Sequence, residues 1–349
     1  MTNLNQYVFT AGSDEAGSDN GIKNDASSVV NTFTGNDSIV TTQGFYEPYR
    51  SWGIWNQGAI YMGPGRDVIT GGISIPAVQA SYGFLNEGIV DSGTGDDSIN
   101  GRSENSNGRY AYGVFNHGSI RLGTGSDLVS GAATSENNEY NVGIFNVQDS
   151  LIDTGAGNDI IHGESGRLLD TNYGLLNYGE IDTGIGNDLI ESEGTLSAIY
   201  NPGTIRTGDG ADTLIAATYD STGVNANGSL DNYNRIDMGG GADKIFCSGS
   251  RYGLLNNGVI LFGDGNDELK AESVFPKGAA VISSGSINMG SGNDIVDAII
   301  GGFDGSGTID LGSGNDCLIG YGQGRFMGGL GVDSITLPSG TYAITSNLD

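Results

Sequence analysis

The sequence predicts an all-β protein, a right-handed parallel β-helix or solenoid of about 11–12 coils, with Gly-x-Gly-x-Asp turns stacked in a column. Three observations lead to this prediction. One aspartate recurs along most of the chain within a fixed pattern of glycines and apolar residues. Glycine supplies 62 of the 349 residues, far above the roughly 7% of ordinary proteins. No segment shows a sustained helical period, whereas short apolar segments alternate with Gly, Asn and Asp.

The repeat is aligned on a single aspartate, called the key Asp below. In all twelve copies a Gly stands two residues earlier and an Ile, Leu or Val stands two residues later. Another Gly stands four residues earlier in eleven copies, and Phe33 is the exception. Composition alone does not produce this regularity, so each copy marks one coil. The key aspartates are Asp37, Asp67, Asp97, Asp127, Asp159, Asp188, Asp212, Asp243, Asp267, Asp294, Asp316 and Asp333.

A second repeated block precedes the turn and ends in asparagine. Residues 82–86, 112–116, 173–177 and 252–256 are near copies of Tyr-Gly-x-x-Asn, which predicts stacked columns of Tyr and Asn. Stacked amides at a corner can hydrogen-bond to each other and to turn backbone, although Asn is also a plain turn former. Asn146 is two residues out of phase, which predicts an insertion in that coil. The in-phase residues are Asn56, Asn86, Asn116, Asn177, Asn201, Asn232 and Asn256.

Each full repeat is predicted to contain three short strands. In one coil these are residues 112–116, then 119–122 after a corner, then 128–130 after the Gly-x-Gly-x-Asp turn, and residues 131–140 close the coil. Such a small unit cannot bury its own apolar face, so coils must stack. We therefore divide the chain into an N-terminal lead or cap (1–28), a parallel β-helix (29–336) and a C-terminal cap or secretion-signal tail (337–349).

Charge limits the choice of partner. The net charge is −28 at pH 7, which disfavours nucleic acid and anionic membranes and calls for bound cations. No segment approaches the roughly 18 apolar residues of a membrane span. Cys247 and Cys317 stand at different phases of the repeat, three repeats apart, and are predicted to be free thiols. His117 and His162 are predicted to lie on the surface.

The turn column is the candidate metal site, and its predicted ion is calcium. Calcium takes six to eight oxygen ligands from carboxylates and carbonyls, more than one turn supplies but within reach of two adjacent coils. A column of like charges about 5 Å apart would otherwise repel itself. The alternative is that each Asp only satisfies turn backbone. Asn could do that equally well, yet none of the twelve key positions holds Asn.

The predicted ligands are the key aspartates and the glycines two residues before them. The aspartates are Asp67, Asp97, Asp127, Asp159, Asp188, Asp212, Asp243, Asp267, Asp294, Asp316 and Asp333. The glycines are Gly95, Gly125, Gly157, Gly186, Gly265, Gly292 and Gly314. Asp37 is the weakest copy because its turn lacks the earlier glycines.

These turns resemble the hemolysin-type (RTX) calcium-binding nonapeptide, Gly-Gly-x-Gly-x-Asp-x-apolar-x, which residues 328–335 match fully. The chain departs from that family by carrying one motif per long coil. It also departs at the first Gly of the motif, where side chains are predicted to point inward and fill a wider core. Those residues are Met62, Ser92, Leu122, Thr154, Thr183, Thr207, Met238, Phe262, Met289 and Leu311.

The resemblance implies several calcium ions between coils and export by a bacterial one-step system that reads an uncleaved C-terminal signal. The first ten residues show no N-terminal secretion signal, and residues 337–349 resemble the C-terminal segments of cyanobacterial RTX-like proteins. The family implies a chain that stays unfolded in low-calcium cytosol and folds outside the cell. The expected location is therefore extracellular, with cytoplasmic as the alternative.

Two other functions stay open beside a non-enzymatic calcium-binding module. One is a carbohydrate-active enzyme (polysaccharide lyase, hydrolase or epimerase), because parallel β-helices carry such sites on one face. The other is an adhesin or matrix component that contacts polysaccharide or a cell surface. Both would use acids and bases of the variable closing loops. The candidate loop residues are Arg102, Glu104, Arg109, Glu136, Glu139, Glu164, Arg167 and Asp170.

Overall fold

The chain forms an all-β solenoid of stacked coils bounded by three parallel sheets, as the repeat predicts. The computed structural model describes residues 1–47, 49–74, 79–104, 108–134, 140–166, 172–218, 228–275 and 278–338. Within this part each strand pairs in parallel with the same segment of the next coil. The antiparallel pair of Phe45–Tyr46 with Arg50–Asn56 is the exception.

Sheet 1 contains the strands that end in the Asn column. In the strand Tyr110–Asn116 the alternation buries Val114 and Asn116, while Phe115 between them faces outward. In chain order its strands are Thr2–Asn3, Ile22–Asn24, Phe45–Tyr46, Arg50–Asn56, Ala80–Asn86, Tyr110–Asn116, Tyr140–Asn146, Tyr173–Asn177, Ser197–Asn201, Gly228–Asn232, Tyr252–Asn256, Ala279–Ser283 and Phe303–Asp304.

Sheet 2 contains the three-residue strands between the Asn corner and the Gly-x-Gly-x-Asp turn. The middle residue of each strand is apolar, and from Val30 to Ile309 it is buried in every coil. In chain order its strands are Val29–Asn31, Ala59–Tyr61, Ile89–Asp91, Ser119–Arg121, Leu151–Asp153, Glu180–Asp182, Thr204–Arg206, Arg235–Asp237, Val259–Leu261, Ser286–Asn288, Thr308–Asp310 and Arg325–Met327.

Sheet 3 follows the turn and has thirteen strands, one more than the number of key aspartates. Its strands are longer than predicted: one runs Leu128–Ala133 where residues 128–130 were expected. In chain order they are Glu15–Ser18, Ser38–Thr41, Val68–Ile73, Ser98–Ser103, Leu128–Ala133, Ile160–Ser165, Leu189–Gly194, Thr213–Thr218, Lys244–Gly249, Glu268–Ser273, Ile295–Asp297, Cys317–Ile319 and Ser334–Thr336.

The strands of sheet 3 extend because glycine lets them pass against sheet 1. A Cβ placed on Gly131 would lie 2.2 Å from the carbonyl oxygen of Gly143, and one on Gly113 would lie 2.3 Å from the amide of Ala132. Sheets 1 and 3 therefore meet backbone to backbone along one line. The main apolar core lies on one side of it, filled in one coil by Val114, Ile120 and Val129.

The first residues of the chain already belong to the stack. Thr2–Asn3 and Glu15–Ser18 are the end strands of sheets 1 and 3, and the single turn of 3₁₀ helix at Leu4–Gln6 buries Leu4 in the core. The domain boundaries at residues 28 and 336 stay a prediction, as does the right-handed sense of the coil. Residues 339–349 of the predicted tail lie outside the described part.

The side chains at the first position of the turn motif point inward, as predicted. All ten, from Met62 to Leu311, are at most 3% exposed. Cys247 is buried and Cys317 is partly buried, and both are free thiols, as expected. In the part of the chain that the structure describes, no helix has the length and apolar character needed to cross a membrane.

Candidate functional site

The turn between sheets 2 and 3 is built on glycines that no other residue can replace. Gly123 and Gly125 have φ of 98° and 144°, which L side chains rarely adopt. A Cβ on Gly125 would also lie 1.8 Å from the carbonyl oxygen of Gly95 in the preceding coil. The carbonyl oxygen of Gly95 therefore points at the next coil, as the sequence predicted.

The key aspartates form a ladder along the stack, called the Asp ladder below. The Oδ1 atom of each one accepts a hydrogen bond from the backbone N–H of the key Asp in the preceding coil, at 2.7–3.1 Å. Each carboxylate therefore satisfies a turn donor, which is the role that the alternative interpretation assigned to it.

The second carboxylate oxygen has no such role. From Asp37 to Asp316 every key Asp is at most 2% exposed. The Oδ2 atom of each of these eleven residues is buried and has no hydrogen-bond partner. An ionised carboxylate left in this state costs several kcal/mol unless a cation or a proton compensates it. The set comprises Asp37, Asp67, Asp97, Asp127, Asp159, Asp188, Asp212, Asp243, Asp267, Asp294 and Asp316.

Burial shifts the ladder towards protonation when no cation is bound. Desolvation raises the pKa of Asp67, Asp127, Asp243 and Asp294 to about 7, although the backbone hydrogen bond acts in the opposite direction. Neighbouring carboxylates of the ladder raise these values further. The same causes raise the pKa of Asp97, Asp159, Asp188 and Asp267 to about 6 and shift Asp212 and Asp316 upward.

A second ladder, called the exposed ladder below, occupies the position just before the key Asp. There the side-chain oxygen accepts a hydrogen bond from the backbone N–H of the equivalent residue in the next coil, at 2.7–3.0 Å. Six of these acceptors are Asn and one is Asp96. An amide oxygen is thus sufficient for this backbone bond, yet the buried position uses Asp in every copy.

The turns offer carboxylate and carbonyl oxygens of the kind that bind calcium, but not from side chains alone. Within the described residues, no group of three or more His, Cys, Asp or Glu side chains is arranged to hold a metal ion. Each coil contributes one unpaired carboxylate oxygen and glycine carbonyls that face the next coil. This mixed donor set is the kind that calcium prefers. In four coils a hydroxyl, from Ser92, Thr154, Thr183 or Thr207, also interacts with the carboxylate and lowers its pKa, although each of these hydroxyls donates its hydrogen bond to a main-chain carbonyl of the next coil.

All the predicted metal ligands lie in this column. Asp333 is the last member and accepts from the amide of Asp316. The sequence missed the first member: the amide of Asp14 donates to Oδ1 of Asp37 at 2.8 Å. Gly12, two residues before Asp14, was the available signal, but the earlier glycine of the motif is missing there. Asp37, the weakest copy by sequence, has the same buried and unpaired Oδ2 as the others.

The Asn column forms a third ladder at the opposite corner, called the Asn ladder below. From Asn24 to Asn232 each Nδ2 donates to Oδ1 of the next Asn at 2.8–2.9 Å, and also to a main-chain carbonyl of sheet 2 in the next coil at 2.9–3.2 Å. Asn146 lies in register, and its two extra residues follow it at the corner, which confirms the predicted insertion. This ladder is self-sufficient.

The loop residues proposed for an enzyme do not assemble a recognisable centre in the described part. Arg102 pairs with Glu104 in its own coil, and both side chains are exposed. Arg109 lies over the ring of Tyr110. Glu136, Glu139, Arg167 and Asp170 lie outside the described residues. His117 is exposed, as predicted, and His162 is partly buried with Nδ1 3.6 Å from a carboxylate oxygen of Glu191.

Comparisons with known proteins give no family. No family model matches the chain, and no curated protein matches it. Among solved structures, a hyperactive, Ca²⁺-dependent, β-helical antifreeze protein from an Antarctic bacterium aligns with a TM-score of 0.47 and 19% sequence identity. The alignment covers 94% of this chain and 80% of that protein. At this TM-score and identity, the likeness supports no inference about what the present chain binds.

Proposed function

We propose that the chain is a secreted calcium-binding β-solenoid module with a structural or interaction role, which folds when Ca²⁺ binds between adjacent coils. The observation that carries this proposal is the run of eleven buried, unpaired Oδ2 atoms. Asn would make the same backbone bond and leave no charge, as the exposed ladder demonstrates. A carboxylate at this buried position is therefore explained by a cation.

The proposed ligands are the carboxylates of the Asp ladder from Asp67 to Asp333 and carbonyl oxygens of the turn glycines, with Asp37 added by its burial. Calcium bound there would neutralise one carboxylate per coil and link successive turns. Because it would bind the folded stack and not the unfolded chain, each site at a hundredfold excess over its dissociation constant adds about 2.7 kcal/mol. Several such sites are enough to decide whether the chain folds.

Export follows from the dependence of folding on calcium binding. A chain with net charge −28 and an uncompensated carboxylate in every coil would fold poorly where calcium is scarce and fold well where it is abundant. The extracellular medium is the calcium-rich compartment, and the proposed export route is the one that the RTX resemblance implies. A calcium-stiffened stack would then serve as a spacer or an interaction surface.

The test is far-UV circular dichroism of chelator-treated protein at pH 7.5 during a calcium titration, with magnesium as the control ion. We expect a cooperative gain of β signal with calcium and little with magnesium. Isothermal calorimetry should report several bound ions. A chelated protein that keeps its full β spectrum and binds no calcium would overturn the proposal.

A further inference from the structure

A cavity of about 530 Å³ lies on the surface at the corner between sheets 1 and 2, away from the Asp ladder. Residues of four successive coils line it, at positions 148–151, 178–180, 202–204 and 234. With about 4.8 Å between coils, the groove runs roughly 14 Å along the stack. Its volume falls in the range of known ligand sites, about 300–1,000 Å³. We call it the corner groove.

The corner groove exists because one coil carries the insertion. In the neighbouring coils two residues, such as Tyr178 and Gly179, lead from the buried Asn into sheet 2. After Asn146 four residues do so, and they border one end of the groove. Asp149 within them has φ of 64°, which is uncommon for a residue other than glycine. Such an outlier directs attention to a functional role.

Tyr178 gives the groove a fixed aromatic surface. Its ring is 43% exposed and lies between two other rings, with centroids 5.9 Å from Phe145 and 6.2 Å from Tyr200. Both neighbours belong to a strip of packed aromatic side chains on the outer face of sheet 1. The exposed face of a ring held in this way suits the C–H face of a sugar, because its negative quadrupole attracts polarised hydrogens.

Polar groups surround this ring. Gln148, Asp149 and Asn234 are exposed at the rim and offer amide and carboxylate groups to hydroxyls. Ser150 also lines the groove, yet it is 3% exposed and its Oγ is buried without a hydrogen-bond partner. A buried hydroxyl with no partner is costly, so the insertion leaves a polar group unsatisfied beneath the groove.

Charge narrows the class of ligand. Glu180, one of the two acids that line the groove, is paired with Arg206. Asp149 and a net charge of −28 disfavour anionic ligands. A divalent cation is not favoured either, because Glu180 is already paired with Arg206. An aromatic platform bordered by the amides of Gln148 and Asn234 and the carboxylate of Asp149 matches a neutral polyhydroxylated ligand.

We propose that the corner groove binds a short neutral oligosaccharide, with its sugar ring stacked on Tyr178 and its hydroxyls bound by Gln148, Asp149 and Asn234. This assigns a partner class to the proposed interaction role and rests on that role. It does not require any residue of the Asp ladder. The groove would give the solenoid a lateral contact to polysaccharide while the coils above and below act as a spacer.

The test uses the full, calcium-saturated chain and measures its binding by saturation-transfer NMR and calorimetry. The ligand panel is cellotetraose, xylotetraose, chitotetraose and maltotetraose. We expect at least one tetrasaccharide to bind, and Tyr178→Ala to weaken it at least tenfold. Tyr61→Ala is the matched control, because it removes a similarly exposed ring from sheet 2 outside the groove. Asp149→Gly keeps the positive φ, removes the carboxylate, and should weaken binding without loss of fold.

Three results would overturn the groove proposal. These are no binding by any member of the panel, binding that survives Tyr178→Ala, or equal loss in Tyr178→Ala and Tyr61→Ala. Calcium titrations of the same variants, read by circular dichroism, report on the module proposal separately. If the protein binds no oligosaccharide but responds normally to calcium, the groove proposal is rejected and the calcium proposal stands. If it binds an oligosaccharide at Tyr178 but does not respond to calcium, the calcium proposal is rejected and the groove proposal stands.

Discussion

The two buried ladders lie at the two ends of the sheet 2 strands. They are built from similar side chains but differ in whether their polar atoms have hydrogen-bond partners. In the Asn ladder each amide from Asn24 to Asn232 donates to the next side-chain amide and to a main-chain carbonyl, so every amide oxygen after that of Asn24 is matched within the protein. In the Asp ladder one oxygen accepts a backbone N–H and the other has no partner. The first ladder needs nothing from solution, whereas the second needs a cation or a proton.

One coil contains all three kinds of position and allows the difference to be tested by single substitutions. Asn177 belongs to the Asn ladder, Asp188 to the Asp ladder, and Asn187 to the exposed ladder. The four predictions that follow concern these residues and the protons that compete with calcium. They run from the largest expected effect to the smallest.

Without calcium, the stability of the fold should rise as the pH is lowered from 8 to 5. The pKa of Asp67 and its equivalents is raised to about 7 in the folded state, against an ordinary value near 3.9 in the unfolded chain. Between these values the folded state binds more protons, so stability falls as pH rises and the loss is complete above about pH 7. One such carboxylate corresponds to about 4 kcal/mol.

Urea unfolding in chelator at pH 5, 6, 7 and 8 measures this trend. Calcium-saturated protein is the control and should have a flatter profile, because bound ions replace the protons. A calcium-free protein whose stability is constant or falls as the pH drops from 8 to 5 would show that the buried carboxylates are not the source of the instability.

Asn177→Asp should destabilise the fold by about 3–5 kcal/mol, because it leaves a buried charge without a partner. The substitution also removes the Nδ2 donations to Asn201 and to the carbonyl of Thr204. The loss should be similar with and without calcium, since the Asp ladder lies at the other end of the sheet 2 strands. Thermal unfolding in both conditions measures it, and rescue of the variant by calcium would contradict the distinction between the two ladders.

The effect of Asp188→Asn on the stability of the fold should change sign when calcium is added. In chelator it removes a buried charge while the amide oxygen still accepts from Asp159, so we expect stabilisation of about 1–3 kcal/mol. With calcium present the variant lacks a ligand and should be less stable than the parent. Calorimetry should also find fewer bound ions. The same sign in both conditions would indicate that this carboxylate acts only on turn backbone.

Asn187→Ala should have the smallest effect and destabilise the fold by about 0.5–1 kcal/mol. Its side chain is exposed and accepts one hydrogen bond from the amide of Ala211, at 2.8 Å. After truncation, water can reach that amide. The change should be the same with and without calcium, and a calcium-dependent effect larger than that of Asp188→Asn would place the ion at the exposed ladder instead.

Much of the fold was predictable because every copy of the motif places the same residue types at the same positions and so forms the same local structure. Gly-x-Gly-x-Asp, the apolar residue two positions later and the Asn eleven positions earlier each correspond to one structural column. The strand of sheet 3 extends beyond its predicted end because Gly131 packs against Gly143, a contact between segments that local pattern does not report. Asp14 was missed since half of its motif is absent, although its amide still joins the Asp ladder.

The sequence by itself determined the solenoid, the columns and the choice of Asp at every key turn, because period, side-chain type and glycine placement are local properties. The tertiary structure decided which polar atoms are satisfied. Stacking at strand spacing matches every donor of the Asn ladder from Asn24 to Asn232, buries one unpaired oxygen in each Asp from Asp37 to Asp316, and places the insertion after Asn146 beside Tyr178. These outcomes depend on distances between coils, and a linear sequence does not contain them.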